Sequence, residues 1–358
     1  MAYNSRIEKI RKEANDASAF LVFNHEHSGQ PATRYLSGFS GSESVLVITG
    51  GENFIFTDGR YFSQTKEECP DFTLVPLGKS TFFEDLNKIF EKFGIGKAAV
   101  DPLRTDYASV SKFKEKIKDV SVMSLENVLQ KIRMVKDENE LKLIEKSVSI
   151  ATSSFEELLP HIKEGVMEKE LARKLEFLMI ENGAKKIAFD TTVASGENGA
   201  KPHARASDKK IKKGELVTFD FGCFYRGYAS DVTRTVAIGE IPSKLSEIYE
   251  TVKMSQEAGL KAAKAGISGA EIDKICRDCI SEKGYGDYFL HGTGHGLGME
   301  VHELPYVSAA NKEPLPENSV ITIEPGIYIE GIGGVRIEDT IVLKKDGNAN
   351  LSGKLFKR

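Results

Sequence analysis

The sequence predicts a mixed α/β chain of two domains, the second built from two related halves. Three observations carry this. The chain has 358 residues, about two domains at roughly 150 residues each. Its texture changes between residues 124 and 136, from short β-rich runs to long amphipathic helices. After that point one pattern, helix, helix, β-hairpin, occurs twice.

The first part alternates β-type runs with turns: Ser18 to Phe23, Ser44 to Thr49, Asn53 to Phe56 and Phe72 to Val75. Gly50-Gly51 between two of them reads as a hairpin turn. Stretches from Phe82 to Phe93 and from Ser109 to Lys118 read as helices, so residues 1–127 are expected to form a small α/β domain. Residues 128–358 form the second. There, Asp137 and Glu140 make a capping box ahead of a stripe of Leu141, Ile144, Val148, Ala151, Phe155 and Leu158. A helix from Glu168 to Asn182 follows, stopped by Gly183 at C′. The second copy has a helix from Ser243 to Ala265 ending at Gly266. Its next helix opens on a Ser268/Glu271 capping box and stops at Gly284.

Both copies close on β-type runs, and these align. GELVTFDFG lies on NSVITIEPG, so Asp220 falls on Glu324 and Gly222 on Gly326; DVTRTV lies on EDTIVL, so Asp231 falls on Glu338. Two copies about a hundred residues apart are too few for a solenoid. They predict two halves packed face to face.

Composition excludes several functions. Lys+Arg 49 against Asp+Glu 53 gives a formal charge of -4, which provides no electrostatic footprint for nucleic acid or an anionic membrane. No apolar run approaches the roughly 18 residues of a membrane span, and MAYNSRIEKIRKEAND lacks the apolar middle of a signal peptide. The expected compartment is the cytoplasm. Four cysteines are too sparse for a disulfide framework. Cys276 and Cys279 form a CxxC, but with Ile272 and Ile275 they follow the spacing of one helical face and read as core residues.

Each half delivers two carboxylates in otherwise apolar runs: Asp220 among Leu216, Val217 and Phe219, and Glu324 after Val320, Ile321 and Ile323. Ions in such strands are costly unless a positive partner meets them. Arg234 and Arg336 do not obviously balance four acids together with Asp339. Two divalent cations would, at +4 against Asp220, Asp231, Glu324 and Glu338. The histidines concentrate in the same region: His203 in AKPHARAS, His291 and His295 in HGTGHGLG, His302 in EVHELP. In an extended segment His291 and His295 face one side, and the interleaved glycines admit close approach. One imidazole among four carboxylates makes an oxygen-rich donor set. Mn²⁺ is the first choice, with Co²⁺, Zn²⁺ and Fe²⁺ admissible.

Other motifs fail on context. DFG at Asp220 to Gly222 has no HRD loop or Gly-rich kinase loop before it. GTGHGLG is neither a dinucleotide fingerprint nor a phosphate loop, and HExxH and GxSxG are absent.

With DFG, SDVTRT, HGTGHGLG, EPGIY and RIED in this order, the chain resembles the pita-bread metallopeptidases, the group of methionine aminopeptidase, aminopeptidase P, prolidase and creatinase. The resemblance implies a pita-bread fold for the second domain and a dinuclear site. Its ligands would be Asp220, Asp231, His295, Glu324 and Glu338, all of the expected types, which argues against creatinase and non-catalytic relatives. RYLSGFSGSE and TDGRYF resemble the N-terminal domain of aminopeptidase P and prolidase, which methionine aminopeptidases usually lack. GFSGS with DGRYF is more like aminopeptidase P.

The implied reaction is hydrolysis of Xaa-Pro bonds in proline-containing peptides, with hydroxide held between two cations and Glu324 as ligand and base. His302 and His203 would bind the scissile carbonyl and stabilise its oxyanion, with His291 lining the pocket. Tyr328 and Arg336 are candidates for proton relay and ligand orientation. The N-terminal domain would restrict substrate and pack against a neighbouring subunit in a homodimer. Xaa-Pro dipeptidase and a non-catalytic binding module are the competing readings.

Overall fold

The computed structural model describes residues 2–14, 16–25, 31–78 and 81–356. It divides into two compact units, Met1–Ile132 and Arg133–Arg358.

The first unit holds a six-stranded sheet of β1 (Ala19–Asn24), β2 (Ser44–Thr49), β3 (Asn53–Thr57), β4 (Thr73–Pro76), β5 (Lys97–Val100) and β6 (Ser121–Ser124), in the order β4-β3-β2-β1-β5-β6. Its helices are α1 (Ala2–Glu13), α2 (Pro31–Ser37), α3 (Phe62–Glu68), α4 (Phe82–Phe93) and α5 (Tyr107–Lys116). The helix α6 (Val128–Met134) spans the division between units. Strands β2 and β3 form the expected antiparallel hairpin across Gly50-Gly51. All six residues of β1 are buried, as in a central strand covered on both faces. One face packs Leu21 and Phe23 with Leu86 and Phe90 of α4 and Phe113 of α5. The short strands β5 and β6 escape sequence reading because KAAV and SVMS carry too little β-branched or aromatic character.

The second unit begins with α7 (Glu138–Leu158), whose Asp137/Glu140 capping box is present, and α8 (Glu168–Glu181). Gly183 takes a φ of 103° just beyond α8, a conformation that favours glycine. Strands β7 (Lys186–Ile187), β8 (Thr192–Ser195), β9 (Leu216–Phe221), β10 (Cys223–Tyr225), β11 (Tyr228–Ala229) and β12 (Val232–Ala237) complete the first half. They form sheets ordered β12-β9-β8 and β11-β10-β7. The second half repeats the plan with α9 (Ser243–Ala262) and α10 (Gly269–Glu282), α9 ending three residues short of the sequence expectation. Its strands are β13 (Gly294–Gly296), β14 (Glu303–Val307), β15 (Val320–Ile323), β16 (Gly326–Ile329), β17 (Gly333–Arg336), β18 (Asp339–Lys344) and β19 (Gly347–Asn350). They form a five-stranded sheet ordered β14-β13-β15-β18-β19 and the pair β16-β17.

The duplication is real but offset. Thr218 pairs with Thr235 in the first hairpin, whereas its counterpart Thr322 pairs with Thr340 in the second. Laid over the sequence alignment, the hairpins differ by two residues in register, and a shift of two keeps every side chain on its face. Thr233 O accepts from Glu338 N at 3.1 Å, joining the halves where the hairpins meet. Cys276 lies in the core with Ile272 and Ile280, and all four cysteines are free thiols. No helix among the described residues is long and apolar enough to cross a membrane.

Candidate metal centre

The four acids stand at strand ends. Asp220 is the penultimate residue of β9 and Asp231 precedes β12; Glu324 follows β15 and Glu338 precedes β18. Each run is apolar because its flanking residues fill the core between sheets and helices. The acids fall where the two hairpins abut. Asp231, His295 and Glu338 are buried and offer ligand atoms within 4.8 Å of one another. His295 Nε2 lies 3.2 Å from Glu324 Oε1 and 3.6 Å from Asp231 Oδ2. Asp220 Oδ2 accepts from Arg336 Nη2 at 2.6 Å.

His295 is aimed by backbone geometry. It occupies β13 between Gly294 and Gly296, where the pairing with β14 shifts register; such an irregularity re-aims a side chain. A Cβ on Gly294 would stand 2.0 Å from Thr322 O, and one on Gly296 2.3 Å from Leu304 O. Only glycine allows that approach. The Nδ1 atom lies 3.1 Å from Gly296 O. A carbonyl can only accept, so Nδ1 carries a hydrogen and Nε2 faces the acids; without a cation it shares a proton with Glu324 at 3.2 Å, and once that proton leaves, its lone pair is the donor a metal-binding histidine uses.

The electrostatics call for cations. Burial, then the charges of Glu338, Asp220 and Glu324, push Asp231 well above the ordinary carboxyl range. Burial, then Glu324 and Asp220, do the same to Glu338. Burial also works against Glu324, but the His295 hydrogen bond and charge outweigh it and bring that group down to about 2. Asp220 Oδ1 and Glu338 Oε1 are buried with no hydrogen-bond partner among the described residues. Orphaned carboxylate oxygens beside the imidazole Nε2, with one arginine among the described residues against four acids, fit hard or borderline divalent cations. Arg234 does not contribute here; it donates to Asp339 and to the carbonyls of Thr233, Glu338, Ser352, Leu355 and Phe356.

The remaining predicted residues flank this cluster. His302 is exposed, with its ring 4.2 Å from that of His295. Partial desolvation and the His295 charge lower its pKa. His203 is exposed in the turn after residue 200, near enough for its charge to act on His291 and His302. Arg336, Tyr328 and His291 form a chain. Arg336 Nη1 donates to Tyr328 Oη at 2.9 Å, and Tyr328 Oη is 2.8 Å from His291 Nε2. Because His291 Nδ1 is 2.8 Å from Gly292 O, Nδ1 donates and Nε2 accepts the phenolic proton. Burial lowers the His291 pKa and raises that of Tyr328, so both stay neutral.

Two threonines were missed by sequence reasoning. Thr233 Oγ1 donates to Glu338 Oε2 at 2.8 Å and lies 3.1 Å from Arg336 Nε. Thr322 Oγ1 donates to Glu324 Oε1 and accepts from His295 N, both at 3.0 Å. The signal was available for one. Thr322 is two residues before Glu324 and so shares its face, whereas Thr233, two after Asp231, reaches Glu338 of the other hairpin, which its spacing does not reveal.

Comparison with known proteins agrees with this architecture. Residues 142–345 match the model of metallopeptidase family M24, and residues 6–135 that of the creatinase/prolidase N-terminal domain. An Xaa-Pro dipeptidase of Pyrococcus horikoshii is 39% identical over 98% of this chain and 97% of its own. Among solved structures, an X-Pro aminopeptidase from Thermotoga maritima superimposes with a TM-score of 0.91 at 39% identity, covering 97% of both chains. An Xaa-Pro dipeptidase from Bacillus anthracis does so with 0.93 at 38% identity over 99% of both. With the pita-bread fold, the clustered acids and these matches in hand, the chain is a member of metallopeptidase family M24 that carries a creatinase/prolidase N-terminal domain.

Proposed function

We propose that the chain is an Xaa-Pro aminopeptidase that uses two divalent cations, Mn²⁺ first among them, held by Asp220, Asp231, His295, Glu324 and Glu338. The observation that carries this is the His295 Nε2 turned onto buried acids, two of whose oxygens have no hydrogen-bond partner among the described residues. Bound there, such cations supply Lewis acidity and make water nucleophilic at neutral pH. The chain's own groups do the rest. Glu324, ionised and hydrogen-bonded by Thr322, accepts the proton of the attacking water. His302 and His203 donate to the scissile carbonyl and its developing oxyanion. The Arg336–Tyr328–His291 chain relays the proton taken up by Glu324 to the proline nitrogen that leaves, the phenol giving one proton and receiving another.

A second reading is Xaa-Pro dipeptidase, favoured by the names of the Pyrococcus and Bacillus relatives. One panel separates the two. The protein is stripped with a chelator, reloaded with Mn²⁺ or Co²⁺, and offered Ala-Pro, Ala-Pro-Gly and a longer peptide with proline second. The aminopeptidase reading expects release of alanine from the longer peptides; turnover of the dipeptide alone selects the dipeptidase. Full metal-restored turnover by Asp231→Asn and His295→Ala proteins would overturn the ligand assignment. A homodimer belongs to this reading, and light scattering tests it.

A further inference from the structure

Outside the metal cluster, three buried carboxylates in the second unit each tie down one segment, and each segment bears one histidine. Glu168, at the start of α8, is fully buried. Its two oxygens accept from Ser195 N at 2.7 Å, Ser195 Oγ at 2.8 Å, Asn198 Nδ2 at 3.1 Å, Ser207 N at 3.1 Å and Ser207 Oγ at 2.6 Å. These donors bracket the loop 195–207, which carries His203. Asp273, on the buried face of α10, accepts from Thr293 N at 3.0 Å and Thr293 Oγ1 at 2.9 Å. It also pairs with Arg277, which in turn donates to His291 O at 2.8 Å. That clamp holds the segment of His291. Glu303, directly after His302, is paired with Arg133 and, at 2.9 Å, with Lys136, all three almost wholly buried. Arg133 also reaches Glu300 at 2.9 Å.

All three acids are ill-suited to stability alone. A buried ion pair is frequently no better than an apolar replacement of the same volume, and Glu168 has only neutral groups as direct hydrogen-bond partners among the described contacts. Hydrogen bonds outweigh burial and keep Glu168 ionised, and the two cations do so for Glu303. None of the three bonds to Asp220, Asp231, His295, Glu324 or Glu338 among the described contacts. Their shared feature is the histidine segment each one grips.

We infer that Glu168, Asp273 and Glu303 are positioning residues, one for each of His203, His291 and His302, holding three imidazoles of separate loops at fixed places around the reacting bond. This rests on the proposed function, which assigns those histidines to substrate and oxyanion. A misplacement of about 1 Å can cost on the order of 100-fold in rate, so rigid anchoring of a loop-borne histidine has a kinetic consequence.

Double-mutant cycles test it. Glu168→Gln, Asp273→Asn and Glu303→Gln are each made in the wild-type background and in each of His203→Ala, His291→Ala and His302→Ala, with bound Mn²⁺ counted for every protein. The expected result is a kcat about 10- to 100-fold lower for each clamp variant, with metal stoichiometry retained. On its own histidine's alanine background the same substitution costs less than about 3-fold, and on the other two it costs its full factor. An equal factor in every background, or an unchanged kcat, overturns the inference. If the histidine variants themselves turn over at the wild-type rate, the assignment of those imidazoles in the proposed function fails instead. Should a clamp variant not fold, Ser207→Ala and Thr293→Val remove the donor side of two clamps. Glu303→Gln with Arg133→Met and Lys136→Met leaves no unpaired buried ion at the third. The same cycle criteria apply to them.

Discussion

Replacing Glu338 by glutamine keeps the shape of the metal centre and removes one of its charges. Glu338 and Asp231 present oxygens within 4.8 Å of each other. Two unit charges at that distance repel by about 3 kcal/mol at an effective dielectric of about 20. Both groups are pushed well above the ordinary carboxyl range, so the metal-free protein relieves part of this by retaining a proton. The gain realised by Glu338→Gln is then about 1–3 kcal/mol. At about 2–4 °C per kcal/mol for a domain of this size, the metal-free Tm rises by about 2–12 °C. The amide oxygen still accepts from Thr233 Oγ1, and its NH₂ gives the buried Oε1 position a donor. Scanning calorimetry without metal measures the rise. Titration with Mn²⁺ then shows the counterpart, because the variant loses affinity for cations and with it turnover. A metal-free variant less stable than wild type, or one that keeps the full Mn²⁺-induced rise in Tm, would refute the view that these acids repel one another until cations arrive.

Four further outcomes follow from the same geometry. The gap between metal-free and Mn²⁺-loaded Tm widens as pH rises above about 7: Asp231, Glu338 and His295 have folded pKa values raised above their unfolded ones, so the metal-free folded state binds protons that the unfolded state has released, and its stability falls with pH. His291 and His302, whose values are lowered, are neutral in both states there, and Glu324 at about 2 acts only in acid; a constant gap would contradict this. Tyr328→Phe lowers kcat by about 10- to 100-fold without loss of metal, since it removes the proton given to His291; steady-state kinetics with metal counting decides it. Arg234→Met destabilises by about 3–5 kcal/mol because it takes the arginine from a buried Asp339 and leaves that charge to neutral donors such as Gln256 and Ser352; a urea midpoint close to wild type counts against the pairing. Native thiol titration modifies at most Cys279, because burial raises Cys69 to about 11 and Cys276 to about 12 and also raises Cys223; a Cys276–Cys279 disulfide in the native protein's mass would reverse the core assignment.

The helices of the second unit were readable because their ends carry local chemistry. Asp137 with Glu140 and Ser268 with Glu271 cap their own backbones, and Gly183 and Gly284 adopt positive φ whatever packs nearby. The hairpins were readable for a related reason: alternation and the Gly50-Gly51 turn act over a few residues. Where the signal was weak, the packing decided. Strand β5 forms by pairing with β1 and β6 by pairing with β5, and α9 stops at Ala262 rather than Ala265 as its chain turns toward Leu315 and Lys344.

The acids were visible as charges in runs that ought to be apolar, and duplication showed that they come in matched pairs. Sequence by itself thus determined the paired acids and the two-fold plan, since these follow from internal comparison. Partners were decided only by the tertiary structure. Arg336 and Arg234 look alike in sequence, yet one meets Asp220 and the other Asp339 and a ring of carbonyls. Thr233, Glu168, Asp273 and Glu303 gain their roles from segments tens of residues away. Local periodicity reports which face a side chain takes, whereas the identity of what stands opposite depends on how two hairpins and four helices close around one core.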